Sequence, residues 1–243
     1  MAENKQLLKK TPILPKFIKF LGFIAPIFCI TLLLLSYFPP QLGFEYLYRR
    51  TFIKKQSSKL RLLEEQQKDA PEIVLLGDSH LQGMNPNGLG RTYLNFAISG
   101  DTIEGLTLRI KDYQNSLANT DAILIQIGTN NLAHRRSSIS EIDQALKFMT
   151  ENLKKFTNSP IIWTGVFKTE ELKNPVYSLE SVEKSNSLIK KYCKDISNCV
   201  FLEANSFMKG KGLYSDDGIH LSPKAYIQWL EQLHPIVEKA LSK

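Results

Sequence analysis

Five short apolar runs, at residues 73–76, 93–97, 122–127, 161–164 and 200–202, alternate with amphipathic stretches long enough for helices. No other feature restricts the fold as strongly. Short, mainly apolar runs of three to six residues fit strands buried on both faces, as parallel strands are, and the stretches between them supply the covering helices. Residues 139–156 show one such stretch, with Ile139, Ile142, Leu146, Met149 and Leu153 repeating every three to four positions as a single helix stripe. Ser222-Pro223 opens a last helix that runs to about Leu241, the serine as cap and the proline in its first turn. The expected domain, residues 72–243, is α/β with a parallel sheet covered by helices on both sides.

The front of the chain reads differently. Lys5, Lys9, Lys10, Lys16 and Lys19 make a basic leader over residues 1–19, and residues 20–38 then run without a charge. Nineteen helical residues at about 1.5 Å each reach roughly 28 Å, close to the hydrocarbon thickness of about 30 Å. A cleaved signal peptide is the competing reading, but the stretch exceeds the usual signal core of about 7–15 residues and ends in Phe38-Pro39-Pro40 without a small-x-small site. The sequence therefore predicts a transmembrane anchor over 20–38 and a juxtamembrane stalk over 39–71. On average the five lysines lie closer to the apolar run than Arg49, Arg50, Lys54 and Lys55 beyond it. The positive-inside rule then favours an N-terminus in the cytoplasm and the following domain outside it. Cys193 and Cys199 are spaced so that a disulfide can close a small loop, which suits an oxidising compartment; two unpaired structural thiols fit the sequence as well.

The formal charge of +7 does not indicate a nucleic-acid partner. Outside the leader, 26 basic residues face 23 acidic ones, a net of +3, too little for a nucleic-acid groove.

Three of the strand ends carry residues that hydrolytic chemistry uses. Gly77-Asp78-Ser79-His80 follows the first run and presents Ser79 at the sheet's carboxyl edge, where open α/β folds bind ligands. Serine attack on an acyl carbon needs a base, a partner that orients the base, and donors for the developing oxyanion. His220 stands in a polar loop before the last helix, with Asp217 three residues ahead of it. Gly100, in Ile98-Ser99-Gly100-Asp101-Thr102, has no side chain to keep its N–H from a bound atom, and Asp101 or Thr102 can cap the helix that follows. Asn130, in Gly128-Thr129-Asn130-Asn131, brings a carboxamide donor to the same edge. His80 reads as pocket wall or structural residue, because neighbouring residues leaving a strand diverge. His134, Arg135 and Arg136 read as a solvated basic loop, and Trp163 and Trp229 as packing residues.

Each motif alone is ordinary, but their order is not. Gly77-Asp78-Ser79, Gly100 within residues 95–101, Gly128-Thr129-Asn130 and Asp217-Gly218-Ile219-His220 resemble, in sequence, the four blocks of the SGNH, or GDSL-type, hydrolases. The resemblance covers about residues 72–241. It implies a flavodoxin-like three-layer α/β/α fold, with Ser79 as nucleophile, His220 as base and Asp217 as its orienting acid. It implies an oxyanion hole from the Ser79 and Gly100 amides and the Asn130 side chain, with no metal or organic cofactor. Two positions depart from the family pattern: His80 stands where leucine is usual, and Asn131 where aspartate is usual.

The expected function is a membrane-anchored serine esterase that removes a short acyl group, acetyl for example, from a carbohydrate or small ester. An acyltransferase using the same acyl-enzyme, and a catalytically silent polysaccharide-binding module, are the alternatives that the sequence leaves open. It names neither the substrate nor the acyl length nor the oligomeric state.

Overall fold

Strands Ile73–Gly77 (β1), Tyr93–Asn95 (β2), Ala122–Gln126 (β3), Ile161–Thr164 (β4) and Cys199–Leu202 (β5) form one parallel sheet in the order β2-β1-β3-β4-β5. The register pairs Ile73 with both Tyr93 and Ala122, Ile123 with Ile161, and Ile161 with Cys199. This is a computed structural model, and it describes residues 40–66, 69–170 and 177–242, the side chains of 40–50 excepted. All five expected strands are present, with small shifts at their ends. The second stops at Asn95 and the third at Gln126, while the fifth starts one residue early, at Cys199.

Because side chains alternate across a strand, each buried strand feeds two cores. Val74, Leu76, Ile123, Ile125 and Trp163 face one side, where they meet Ile142, Leu146, Met149 and Leu153 of helix Ile139–Phe156 and Val182 and Ile189 of helix Leu179–Lys194. Ile73, Leu75, Leu124 and Ile162 face the other, against Trp229, Leu233 and Val237 of helix Pro223–Leu241. Helices on both faces make the three-layer α/β/α arrangement expected from the sequence. Full burial of each large apolar side chain contributes roughly 1.5–3 kcal/mol. An exposed ion pair such as Arg61–Glu65, its side chains 58% and 57% exposed, contributes about 0–1 kcal/mol. The two cores therefore carry the fold.

In chain order the helices are Pro40–Gln66 (α1), Ser79–Gln82 (α2), Ile103–Arg109 (α3), Gln114–Asn119 (α4), Thr129–Ala133 (α5), Ile139–Phe156 (α6), Leu179–Lys194 (α7), Ala204–Phe207 (α8) and Pro223–Leu241 (α9). Ser138 caps α6 in a reciprocal box with Glu141, and Ser222 caps α9 with Pro223 in its first turn.

By contacts the chain divides at Thr51, and of the first unit only the opening of α1 is described. The second unit begins at Phe52 and holds the sheet. Within it, Leu60 packs on the first core, and Glu64, 6% exposed, accepts the Ser116 amide at 2.7 Å and the Ser116 hydroxyl. That carboxylate lies at the N-terminal end of α4, where helix amides lack internal partners. Cys193, at the end of α7, is disulfide-bonded to Cys199, at the start of β5. The expected membrane span at 20–38 lies outside the described residues. Among the described residues no helix is long and apolar enough to cross a membrane.

Candidate active site

In the order β2-β1-β3-β4-β5 the chain reverses its direction of travel between β1 and β3, and the crevice at such a switch point is the usual ligand site. Ser79 leaves β1 at that point, and Thr129 and Asn130 open α5 three residues beyond the end of β3. Gly77 is required by close packing, since a Cβ there would lie 2.2 Å from the Gln126 carbonyl oxygen. Asp78 caps α2 by accepting the His80 amide at 3.1 Å. Half-buried Ser79 is thereby fixed as the first residue of that helix.

The loop before α9 brings His220 to it. His220 Nε2 lies 2.9 Å from Ser79 Oγ, and His220 Nδ1 lies 2.5 Å from Asp217 Oδ2. A carboxylate only accepts, so Nδ1 carries the ring proton and Nε2 is free to take one from serine. Asp217 Oδ1 accepts three further bonds, from the Ile219 and His220 amides and the Ser215 hydroxyl, each at 2.9 Å. Gly218 turns the loop at φ 70. Burial pushes the Asp217 carboxyl up, but the bonds from the His220 ring, the two amides and Ser215 outweigh it and hold the group well below the usual carboxylate range. The pair is open to solvent, both side chains being 45% exposed.

Gly100 takes φ 80, a backbone that suits glycine. Asn130, 5% exposed, donates through Nδ2 to the Asp101 carbonyl at 2.9 Å, which ties the third block to the loop holding Gly100. That bond uses one of the two amide protons and leaves the other for a ligand. The side chain of Asp101 meets Arg109, whose guanidinium also donates to the Phe96 and Gly77 carbonyls at the ends of β2 and β1. Thr102, not Asp101, caps α3, accepting from the Gly105 amide.

The two departures from the family pattern have structural reasons. Asn131 Oδ1 accepts the Ile103 amide at 3.0 Å while Nδ2 donates to Glu104 Oε2 at 2.9 Å. Aspartate would keep the first bond and set a second carboxylate against Glu104. His80 is fully buried, with Nε2 3.1 Å from the Ile219 carbonyl oxygen and its own carbonyl accepting from the Tyr226 hydroxyl at 2.9 Å. Burial, with the Asp78 charge behind it, pushes the Tyr226 phenol up to about 12, so it stays a donor. Arg135 and Arg136 are exposed, Arg135 pairing with Glu104 at 2.7 Å, and both tryptophans are buried in the cores. Arg109 and its carbonyl partners were not foreseen from sequence. The only sequence sign is a lone arginine on an otherwise apolar helix face.

The sequence matches the GDSL-like lipase/acylhydrolase family over residues 75–227, more than half of the chain and all four blocks. The chain belongs to that family. As a GDSL-type acylhydrolase it has distant curated relatives. Platelet-activating factor acetylhydrolase IB subunit alpha1 of Rattus norvegicus is 23% identical over 194 residues, covering 75% of this chain and 82% of the relative. Subunit alpha2 of Homo sapiens is 24% identical over 185 residues, covering 71% and 79%. Among solved structures, a chain from Streptococcus pneumoniae superposes with a TM-score of 0.70 at 20% identity, covering 81% of this acylhydrolase and 98% of that chain. The lipase/acylhydrolase from Enterococcus faecalis gives 0.59 at 15%, covering 69% and 95%. These structures share the fold. Among the described residues of the acylhydrolase, no group of three or more His, Cys, Asp or Glu side chains is placed to hold a metal ion.

Proposed function

We propose that this acylhydrolase is a membrane-anchored serine esterase that removes a short acyl group, such as acetyl, from a carbohydrate or small ester outside the cytoplasm. The observation that carries the catalytic part is the continuous relay from Ser79 Oγ through His220 to Asp217, at 2.9 and 2.5 Å. Ser79 Oγ adds to the ester carbonyl carbon as its proton passes to His220 Nε2. The ester C–O bond then breaks and the alcohol leaves with that proton. Water repeats the sequence on the acyl-serine, releasing the acid and restoring Ser79. Asp217 stays ionised and stabilises the imidazolium formed in each half. Asn130 Nδ2 and the Ser79 and Gly100 amides are the donors for the oxyanion.

The short-acyl reading is supported by the acetylhydrolase relatives and by solved neighbours described as an acetyl esterase and a carbohydrate acetylesterase family member. The location outside the cytoplasm is supported by the Cys193–Cys199 bond, since disulfides persist in oxidising compartments, and by the charge-free run at 20–38 behind its lysines. A fluorophosphonate serine probe followed by mass spectrometry of the full-length chain in detergent tests the chemistry. Labelling at Ser79 that His220→Ala abolishes is expected; labelling that survives in His220→Ala, or its absence in the wild type, refutes the relay. Release of acetate, but not of long-chain acids, from a panel of esters and acetylated sugars tests the substrate. Thiol titration under denaturing conditions, with and without reductant, tests the bridge.

A further inference from the structure

His80 follows the nucleophile directly, yet its ring is fully buried. Nε2 lies 3.1 Å from the carbonyl oxygen of Ile219, and a carbonyl only accepts, so Nε2 carries a proton and donates it there. The same peptide unit is held at its other end, where the His220 amide donates to Asp217 Oδ1 at 2.9 Å. A peptide group is planar and stiff. Fixing both its oxygen and its N–H fixes its plane, and with it the direction in which the His220 side chain departs.

His80 is itself held on every side. Its amide donates to Asp78 Oδ1 at 3.1 Å, its carbonyl accepts from Tyr226, and Nδ1 lies 3.3 Å from Asp78 Oδ1 and 3.4 Å from Thr129 Oγ1. The Phe167 ring packs on it with centroids 5.3 Å apart. Its ring centroid is 5.7 Å from that of His220, and its nitrogens point at protein atoms, so it is no second base.

We infer that His80 is a positioning residue that sets the nucleophile-to-base distance by tying the Ile219–His220 peptide to the turn carrying Ser79. The inference rests on the Ser79–His220 relay proposed above. Ser79 and His80 share a backbone, so the base-bearing loop is anchored one residue from the atom it must reach. Leucine, usual at this place in the family, has no proton to offer that carbonyl.

Glutamine and methionine are close in size, and only glutamine keeps an N–H donor near the end of the side chain. His80→Gln and His80→Met in the full chain therefore isolate the bond. Steady-state hydrolysis of 4-nitrophenyl acetate, Ser79 labelling rates and melting temperatures are measured for both, with wild type and Ser79→Ala alongside. Methionine is expected to lower kcat roughly 10- to 100-fold, the scale of a small misplacement of reacting groups, with KM unchanged and labelling slowed in step. Glutamine is expected to recover most of that loss. Methionine at the wild-type kcat, equal losses in two folded variants, or unfolding of both overturns the assignment. Wild-type protein that Ser79→Ala equals in activity refutes the relay itself, and the inference with it.

Discussion

The guanidinium of Arg109 and the carboxylate of Asp101 form a closed ion pair, Nε to Oδ2 at 2.7 Å, with side chains only 4% and 0% exposed. The pair joins the residue after Gly100 to the carbonyls that end β1 and β2. Removing one member of a buried pair strands the other. Arg109→Met is expected to cost about 3–5 kcal/mol of stability, read by urea denaturation. Arg109→Lys should not restore it, because one ammonium cannot reproduce a planar fork that reaches several acceptors.

Asn130→Ala removes the carboxamide proposed above as an oxyanion donor. The expected loss is about 10²–10³ in kcat, with KM nearly unchanged. A fall confined to KM would mean that Asn130 holds the ground state and not the oxyanion.

Asp217 gives a pH signature. Its folded carboxyl sits below its unfolded value of about 3.9, because the His220, amide and Ser215 bonds outweigh burial. Such a group adds stability that is complete above the unfolded value and is lost as pH falls through the folded one. The stability difference between wild type and Asp217→Asn should therefore shrink as pH drops from 6 to 3, read by urea denaturation at each pH. Solvent screening at a 45% exposed side chain keeps the effect small. Activity lost on acidification above pH 5 reports another group, since Asp217 remains ionised there.

Glu64→Ala leaves the buried Ser116 amide without an acceptor, at a cost of about 1–3 kcal/mol. Faster proteolysis within residues 52–66 than in wild type, together with a lower urea midpoint, is expected. Glu64→Gln, which keeps an acceptor oxygen, should fall between the two.

β1, β3 and β4 were legible because burial on both faces keeps their runs apolar, the partly exposed edge strands β2 and β5 because short apolar runs mark them, and α6 and α9 because each has a periodic stripe and a serine cap. Ser79, His220 and Asp217 were legible as well, because the order of their short motifs resembles the family's blocks; of the two contacts only Asp217–His220, three positions apart, is local. What the sequence hid is long-range polar pairing. Arg109 reaches Gly77 across 32 positions and His80 reaches Ile219 across 139, and neither distance leaves a periodicity. Asn131 was visible only as a departure from the usual aspartate, and its reason, Glu104 across 27 positions, appears only when the two loops are seen together. The short helices between β2 and β3 are too brief to show a stripe.

Ser79 and His220 stand 141 positions apart, and a ribosome adds roughly 5–20 residues each second. The nucleophile is thus synthesised roughly 7–30 s before its base. Through that interval the emerging chain holds a serine without the histidine that the proposed relay needs. On the relay proposed above, Ser79 gains its base only when the loop ahead of α9 docks and sets His220 beside it, so hydrolysis waits on that late step.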